Sequence, residues 1–356
     1  MVRHNGRVTA IDLFCGVGGL SKGLQDAGIM IAGGFDLDPK CKYPFESNIG
    51  AGFFEQDVRT VTAGQLRKLW EPGSIRLLAG CAPCQPFSPY RRGADTSTED
   101  QWSLLDEFGR LVRQTTPEVV TMENVTRIGK AKVFDAFLET LNKGGYEVTY
   151  RSCYGPAYGL PQHRRRLVLI ASRIGLIQVP PGTRASDDYP TVRSAIGRLT
   201  PIGHGQSDSA DRLHKSRILT SVNLKRIRAS RPGGTWHDWP AELRSPCHQR
   251  ETGATFRNVY ARMEWDQPSP TITTMSYNFG TGRFGHPEQD RAITLREAAI
   301  LQGFPADYRF VRPDEPVEFA PLGRLIGNAV PPVLGQAIGE AVLQHVESKP
   351  RRRRRS

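Results

Sequence analysis

The sequence predicts an α/β fold: a mostly parallel sheet with crossover helices, joined to a second, smaller and irregular lobe. Three observations predict it. Short apolar runs alternate with amphipathic segments through the first 170 residues, the rhythm of strands linked by helices. A glycine-rich turn directly follows the first of those runs. After about residue 175 the rhythm fails, and residues 180–290 are rich in Pro, Gly, Arg and His without clean periodicity. A stretch of that length is too long for one loop of a compact domain and reads as a lobe of its own.

In chain order, VTAIDLF (Val8 to Phe14) reads as a buried strand, and LSKGLQDAG as a helix closed by Gly28. IMIAGGF (Ile29 to Phe35) is a second strand and IRLLAG (Ile75 to Gly80) a third. EVVTM (Glu118 to Met122) and RLVLIA (Arg166 to Ala171) continue the series. From Leu322 to Val346 a glycine-containing turn leads into a helical stretch. No run of ~18 apolar residues is present, and no charged-then-apolar leader precedes the first strand, so a cytoplasmic protein without membrane contact is expected. Six cysteines scattered over 356 residues do not form the spacing of a disulfide framework.

Charge narrows the partner. Lys and Arg number 48 against 36 acids, a net +12. Residues 191–260 hold 12 basic residues against 5 acids, which concentrates +7 in one fifth of the chain. Such a local excess favours a polyanion, through phosphate neutralisation and counterion release. The run Arg351 to Arg355 adds charge at the tail, and residues 347–356 are expected to be a disordered basic extension.

The turn DLFCGVGGLS (Asp12 to Ser21) places glycines 16, 18 and 19 at the carboxyl end of the first strand, where backbone can approach a ligand closely. Asp36 ends the next strand, where an acid can bind two ribose hydroxyls. The spacing departs from G-x-G-x-x-G, which argues against a dinucleotide pyrophosphate and leaves an adenosine site. Asp57, in FFEQDV, is a candidate acceptor for an adenine amino group.

GCAPCQPFS (Gly80 to Ser88) holds a C-x-x-C that admits a zinc, a redox or a nucleophile reading. Zinc needs four ligands, and neither a second pair nor a histidine pair follows at matching spacing. A redox pair opens a helix, which Pro86 and Pro89 oppose. What remains is a rigid loop presenting one thiol, Cys84. Glu123, in MENVTR, lies at the carboxyl end of another strand, and PQHRRRLVLI sets Arg164 and Arg166 before a further one. Singly, each is an ordinary surface charge; together they supply a nucleophile, an acid and two cations.

With these residues in this order the chain resembles the DNA (cytosine-5) methyltransferase family. DLFCGVGG is similar to its cofactor loop, APCQPFS to its nucleophile loop, ENV to its acid motif and QHRRR to its paired arginines. TLREAAILQGFP (Thr294 to Pro305) and GNAV (Gly327 to Val330) resemble its last two motifs. The resemblance implies the Rossmann-like sheet of S-adenosylmethionine-dependent methyltransferases. It also implies a catalytic and cofactor-binding domain of residues 1–175 plus 318–346, and a target-recognition domain of residues 176–317.

The resemblance further implies Cys84 as nucleophile, Glu123 as acid, and Arg164 and Arg166 as orienting residues; its pattern does not require Cys81, which is expected to pack. Phe14, Gly16, Val17, Gly18, Gly19, Asp36, Asp57 and Asn328 would contact S-adenosylmethionine, and no metal is expected. Double-stranded DNA is the implied substrate, with Gln85, Ser88, and Thr271 and Ile272 of PSPTITT as contacts. A cytosine buried in the stack is out of reach, so the base would be flipped into the site. The implied enzyme acts as a monomer at the nucleoid, functionally paired with a restriction endonuclease encoded nearby.

Overall fold

The structure is a computed structural model, and it describes residues 7–83, 103–250, 253 and 259–348. The tail Arg351 to Arg355 lies outside the described residues. The chain divides into two compact units. Met1–Tyr154, Arg165–Gly182 and Val330–Ser356 form the first; Gly155–Arg164 and Thr183–Ala329 form the second.

The first unit is built on a sheet with seven strands among the described residues, in the order β3-β2-β1-β4-β5-β7-β6. The strands are β1 (Val8–Leu13), β2 (Met30–Asp36), β3 (Gly52–Glu55), β4 (Ile75–Gly80), β5 (Val119–Asn124), β6 (Glu147–Tyr154) and β7 (Arg165–Ser172). Helices α1 (Gly19–Asp26), α2 (Lys42–Ile49), α3 (Ala63–Leu69), α4 (Ser103–Thr115) and α5 (Lys132–Lys143) connect them. β1 and β5 are buried along their whole length, as strands covered on both faces must be. Their side chains join those of α4 and α5 in one core that includes Ile11, Leu13, Phe108, Met122, Phe134 and Leu169.

β1 to β5 pair in parallel, as the alternating pattern predicts. The run Arg166 to Ala171 does not continue that series. It lies in β7, which is antiparallel to both β5 and β6. The cause is β6, an edge strand that the sequence pattern did not signal because most of its residues are exposed or half-buried. The chain leaves β6 through residues 155–164 and re-enters between it and β5, which reverses β7.

The C-terminal helix, α10, closes the first unit by packing on α1 at very short range. A Cβ on Gly23 would stand 2.0 Å from the Pro332 carbonyl oxygen, and one on Gly335 2.6 Å from the Leu20 carbonyl oxygen. Both contacts are to backbone, so only glycine allows this approach. α10 spans Pro332–Ser348; the helices before it are α6 (Val192–Ile196), α7 (Ser221–Arg228), α8 (Leu295–Leu301) and α9 (Phe319–Asn328).

The second unit contains no strand longer than an isolated bridge among its described residues. Its core gathers Leu219, Ile227, Trp236, Trp239, Phe279 and Ala292. Irregular backbone leaves carbonyls without ladder partners, and arginines supply the donors. Buried Arg262 donates to the carbonyls of Ile227, Ser230, His286 and Gln289 at 2.8–3.2 Å. Arg226 donates to Leu243 and Arg244 to Trp239 and His237, while Arg193, Arg228 and Arg231 pair with acids. Arg291 grips buried Glu297 with two bonds of 2.7 Å. Burial pushes the Glu297 carboxyl up, but the Arg291 bonds and charge, His286 and the Thr294 amide outweigh it and hold the pKa at about 2.

Candidate active site

The loop after β1 turns through left-handed backbone at Phe14 (φ 58°), Gly16 (φ 52°) and Gly18 (φ 89°). Gly16 and Gly18 adopt it readily, whereas Phe14, which carries a side chain, is held there with its ring packed on the core. The Gly16 amide donates to Asp36 Oδ2 at 2.8 Å, and the Asp38 amide to Asp36 Oδ1 at 3.0 Å. One carboxylate thus ties the glycine loop to the end of β2. Burial raises the Asp36 pKa, while the backbone donors of Asp38 and Gly16 oppose the shift. Val17, Gly18 and Gly19 are buried.

Beneath this loop lies Asp12, 1% exposed, whose Oδ2 accepts from Ser21 Oγ at 2.6 Å. Among the described residues its Oδ1 has no hydrogen-bond partner, and burial pushes its pKa to about 7. Asp57 is more open. It accepts from the Arg59 amide at 2.9 Å and pairs with the Arg59 guanidinium at 2.6 Å, which holds its carboxyl below the usual range.

At the carboxyl end of β5, Glu123 is 2% exposed. Arg166 Nε stands 3.0 Å from its Oε1, an ion pair by distance that is not aligned as a hydrogen bond. The reversal of β7 makes this pair possible, because it turns the amino end of β7 toward the carboxyl end of β5. The other oxygen, Oε2, accepts from the Cys81 thiol at 3.0 Å. Cys81, expected only to pack, therefore touches the acid. Asn124, which the motif reading left without a role, anchors the start of the cysteine loop: its Nδ2 donates to the Ala82 carbonyl at 3.1 Å. Cys84, Gln85 and Ser88 lie outside the described residues.

Three motifs meet inside the second unit. Arg164, 4% exposed, directs its guanidinium at the carbonyls of Ile272, Gly327 and Ala329, each at 3.4 Å. Gln162, fully buried, accepts from the Ile272 amide at 3.0 Å and donates to the Leu301 carbonyl at 3.0 Å and to Gln302 Oε1 at 2.8 Å. Thr271 donates to the His163 carbonyl. Thr271 is exposed and Ile272 is buried, while Asn328 at the end of α9 is exposed. Gln162 stood inside a recognised motif and its role was still missed, because its partners lie more than 100 residues away.

A model of the family described as C-5 cytosine-specific DNA methylase matches residues 8–344. The chain belongs to this family. As a C-5 cytosine-specific DNA methylase it is a DNA (cytosine-5-)-methyltransferase. It is 45% identical over 347 residues to the Type II methylase M.HgiDII of Herpetosiphon aurantiacus, covering 97% of each chain. It is 31% identical to the Type II methyltransferase M1.HphI of Haemophilus parahaemolyticus, covering 95% of this chain and 87% of that one. Among solved structures, the methylase resembles a putative DNA modification methyltransferase encoded within a prophage of E. coli. The TM-score is 0.70 at 22% identity, over 96% of this chain and 99% of that one. Dnmt2 methyltransferase of S. pombe follows with a TM-score of 0.64 at 17% identity, over 96% and 98%. At these identities the two structures speak for the fold of the methylase alone. Among the described residues, no cluster of three or more His, Cys, Asp or Glu could hold a metal ion, and no helix is long and apolar enough to cross a membrane.

Proposed function

We propose that this methylase modifies carbon 5 of a cytosine flipped out of a specific double-stranded DNA sequence, with S-adenosylmethionine as methyl donor and Cys84 as covalent catalyst. The reading rests chiefly on Glu123, a buried carboxylate at the carboxyl edge of the sheet. Arg166 stands against one of its oxygens and Cys81 against the other, and Cys81 is three residues before Cys84 in sequence.

The glycine loop suits the adenosine end of the donor. A Cβ on Gly16 would meet nothing within 4 Å, so backbone there borders open space, and the Asp36 carboxylate beside it retains acceptor capacity for a ribose hydroxyl. Phe14, Val17, Gly18 and Gly19 complete that cradle and Asp57 accepts from the adenine amino group, while the family resemblance adds Asn328 as a further contact of the donor. When bound, S-adenosylmethionine supplies an electrophilic methyl group.

The chain's residues prepare the base to receive it. The Cys84 thiolate adds to carbon 6 of the ring, and the electron pair of the 5,6 double bond becomes available at carbon 5. Glu123 holds a proton at ring nitrogen 3 and so stabilises the charge that addition creates. Arg166 fixes the Glu123 carboxyl, and Arg164 orients the base carbonyl. After methylation, loss of the carbon 5 proton restores the double bond as the Cys84 thiolate departs. Gln85, Ser88 and Thr271 contact the DNA, and Ile272 supports Thr271 from within the second unit, which serves target recognition. The names of the two relatives support a restriction-linked role beside a cognate endonuclease, the enzyme itself acting as a monomer.

A duplex carrying 5-fluorocytosine tests the covalent step, since fluorine cannot leave as a proton does. Wild type and Cys81→Ser should give a denaturant-stable protein–DNA complex that requires the methyl donor, and Cys84→Ser should give none. Trapping by Cys84→Ser would overturn the assignment. Bisulfite sequencing of plasmid from an expressing host reads the target sequence, and a transfer RNA assayed beside the duplex tests the substrate class.

A further inference from the structure

The arginine-rich stretch 191–260 looked like the phosphate grip, yet Arg193, Arg226, Arg228, Arg231 and Arg244 are engaged with acids and carbonyls of their own unit. Arg198, Lys225 and Arg250 of that stretch are exposed and in no ion pair among the described residues, and a denser group of such cations gathers on the first unit. The 3-10 turn Thr126–Lys130 and the start of α5 carry Arg127, Lys130 and Lys132, all exposed and none in an ion pair among the described residues. Buried Ile128 and Val133 anchor the segment from within, so its basic residues point outward. The single acid between residues 126 and 136 is Asp135.

Register adds a fourth cation. Arg165 pairs with Tyr154 across the β6–β7 ladder, and its guanidinium stacks 4.3 Å from that ring. Side chains alternate between sheet faces, so Arg165 shares a face with Leu167, and Tyr154 with Tyr150. That is the face covered by the turn and α5: a Cβ on Gly129 would lie 3.1 Å from Leu167, and Phe134 meets Tyr150 edge-on at 5.3 Å. The four cations therefore occupy one face at the carboxyl end of β5, the end that carries Glu123. The N-cap of α5, Ala131, makes no side-chain cap bond, so the helix end keeps free amides, and Asp135 in the same turn offsets part of their positive field.

We propose that Arg127, Lys130, Lys132 and Arg165 form a phosphate-binding strip on the catalytic unit, which grips the backbone of the duplex beside the target nucleotide. This rests on the proposed action on double-stranded DNA. The strip tracks phosphates without reading bases, so it contributes equally to every sequence.

The test is binding of a labelled duplex without a target site, from about 50 to 200 mM salt. Each phosphate contact contributes about 0.9 to the slope of log K against log salt, so combined Arg127→Gln, Lys130→Gln and Lys132→Gln should lower it by about two to three. Lys130→Gln alone should lower it by about one. The charge-keeping set Arg127→Lys, Lys130→Arg and Lys132→Arg should restore the wild-type slope, and S-adenosylmethionine affinity without DNA should match wild type, reporting an intact fold. An unchanged slope in both Gln variants overturns the strip. A slope change with a transfer RNA and none with the duplex also overturns it. Failure of the wild type to bind or methylate any duplex would instead remove the reading on which the strip rests.

Discussion

Asp12 couples the stability of the glycine loop to pH. Burial lifts its pKa from 3.8 to about 7, so the native state keeps a proton over that interval which the unfolded chain has already lost. Stability from this group is therefore greatest below pH 3.8, falls as pH rises, and is fully lost above about 7. Asp12→Asn removes the titration and keeps an acceptor for Ser21. Thermal unfolding should show the wild type losing stability relative to that variant between about pH 4 and 7 and little further change above it, and parallel profiles would remove Asp12 as the cause. Cys81 sets a second test. Without its thiol, the buried Oε2 of Glu123 loses a donor, at a cost of ~1–3 kcal/mol. Cys81→Ala should lower kcat and melting temperature together, and Cys81→Ser, which keeps a donor, should recover most of both. Glu123→Gln should cut turnover by about a hundredfold or more in steady-state assays while duplex binding persists. Glu123, Asp36 and the glycine loop stood out in the sequence because each occupies a strand end. The Cys81 contact did not, since it arises from the pairing of Gly80 with Met122 across β4 and β5.

At the level of elements, β1, β2, β4 and β5 were legible because parallel strands buried on both faces write continuous apolar runs. β6 was not, because an edge strand can expose most of its residues, and nothing in the apolar run of β7 encodes its direction. The same limit hid the partner of Arg166: only an antiparallel β7 sets that guanidinium beside Glu123. The resemblance placed the C-terminal helical stretch in the catalytic domain, but the close approach of α1 and α10 was not legible, although its cause is two small residues. Gly335→Val should cost ~1–3 kcal/mol by forcing the helices apart, and it should lower the midpoint of chemical unfolding. Loss of stability with wild-type kcat in the folded fraction would place the effect in packing, while an unchanged midpoint would contradict the close approach.

On the scale of the whole chain, composition counted arginines but could not say what each one binds. The +7 of residues 191–260 pointed toward a polyanion, yet several of those side chains satisfy the backbone of a unit with few ladders. Duplex affinity should still fall steeply with salt, as titration by fluorescence anisotropy would record, and a flat response would mean that phosphates are not gripped at all. The path of the chain carries a different consequence. Residues 155–164 are bounded on both sides by strands of the first unit, yet they are part of the second, where Gln162 holds Ile272, Leu301 and Gln302. The second unit is thus not a single cassette. On the proposed reading, in which the second unit serves target recognition, exchange of specificity between relatives has to move two separate stretches of gene. A graft of residues 183–329 alone would join the Gln162 of one parent to the hydrogen-bond partners of the other.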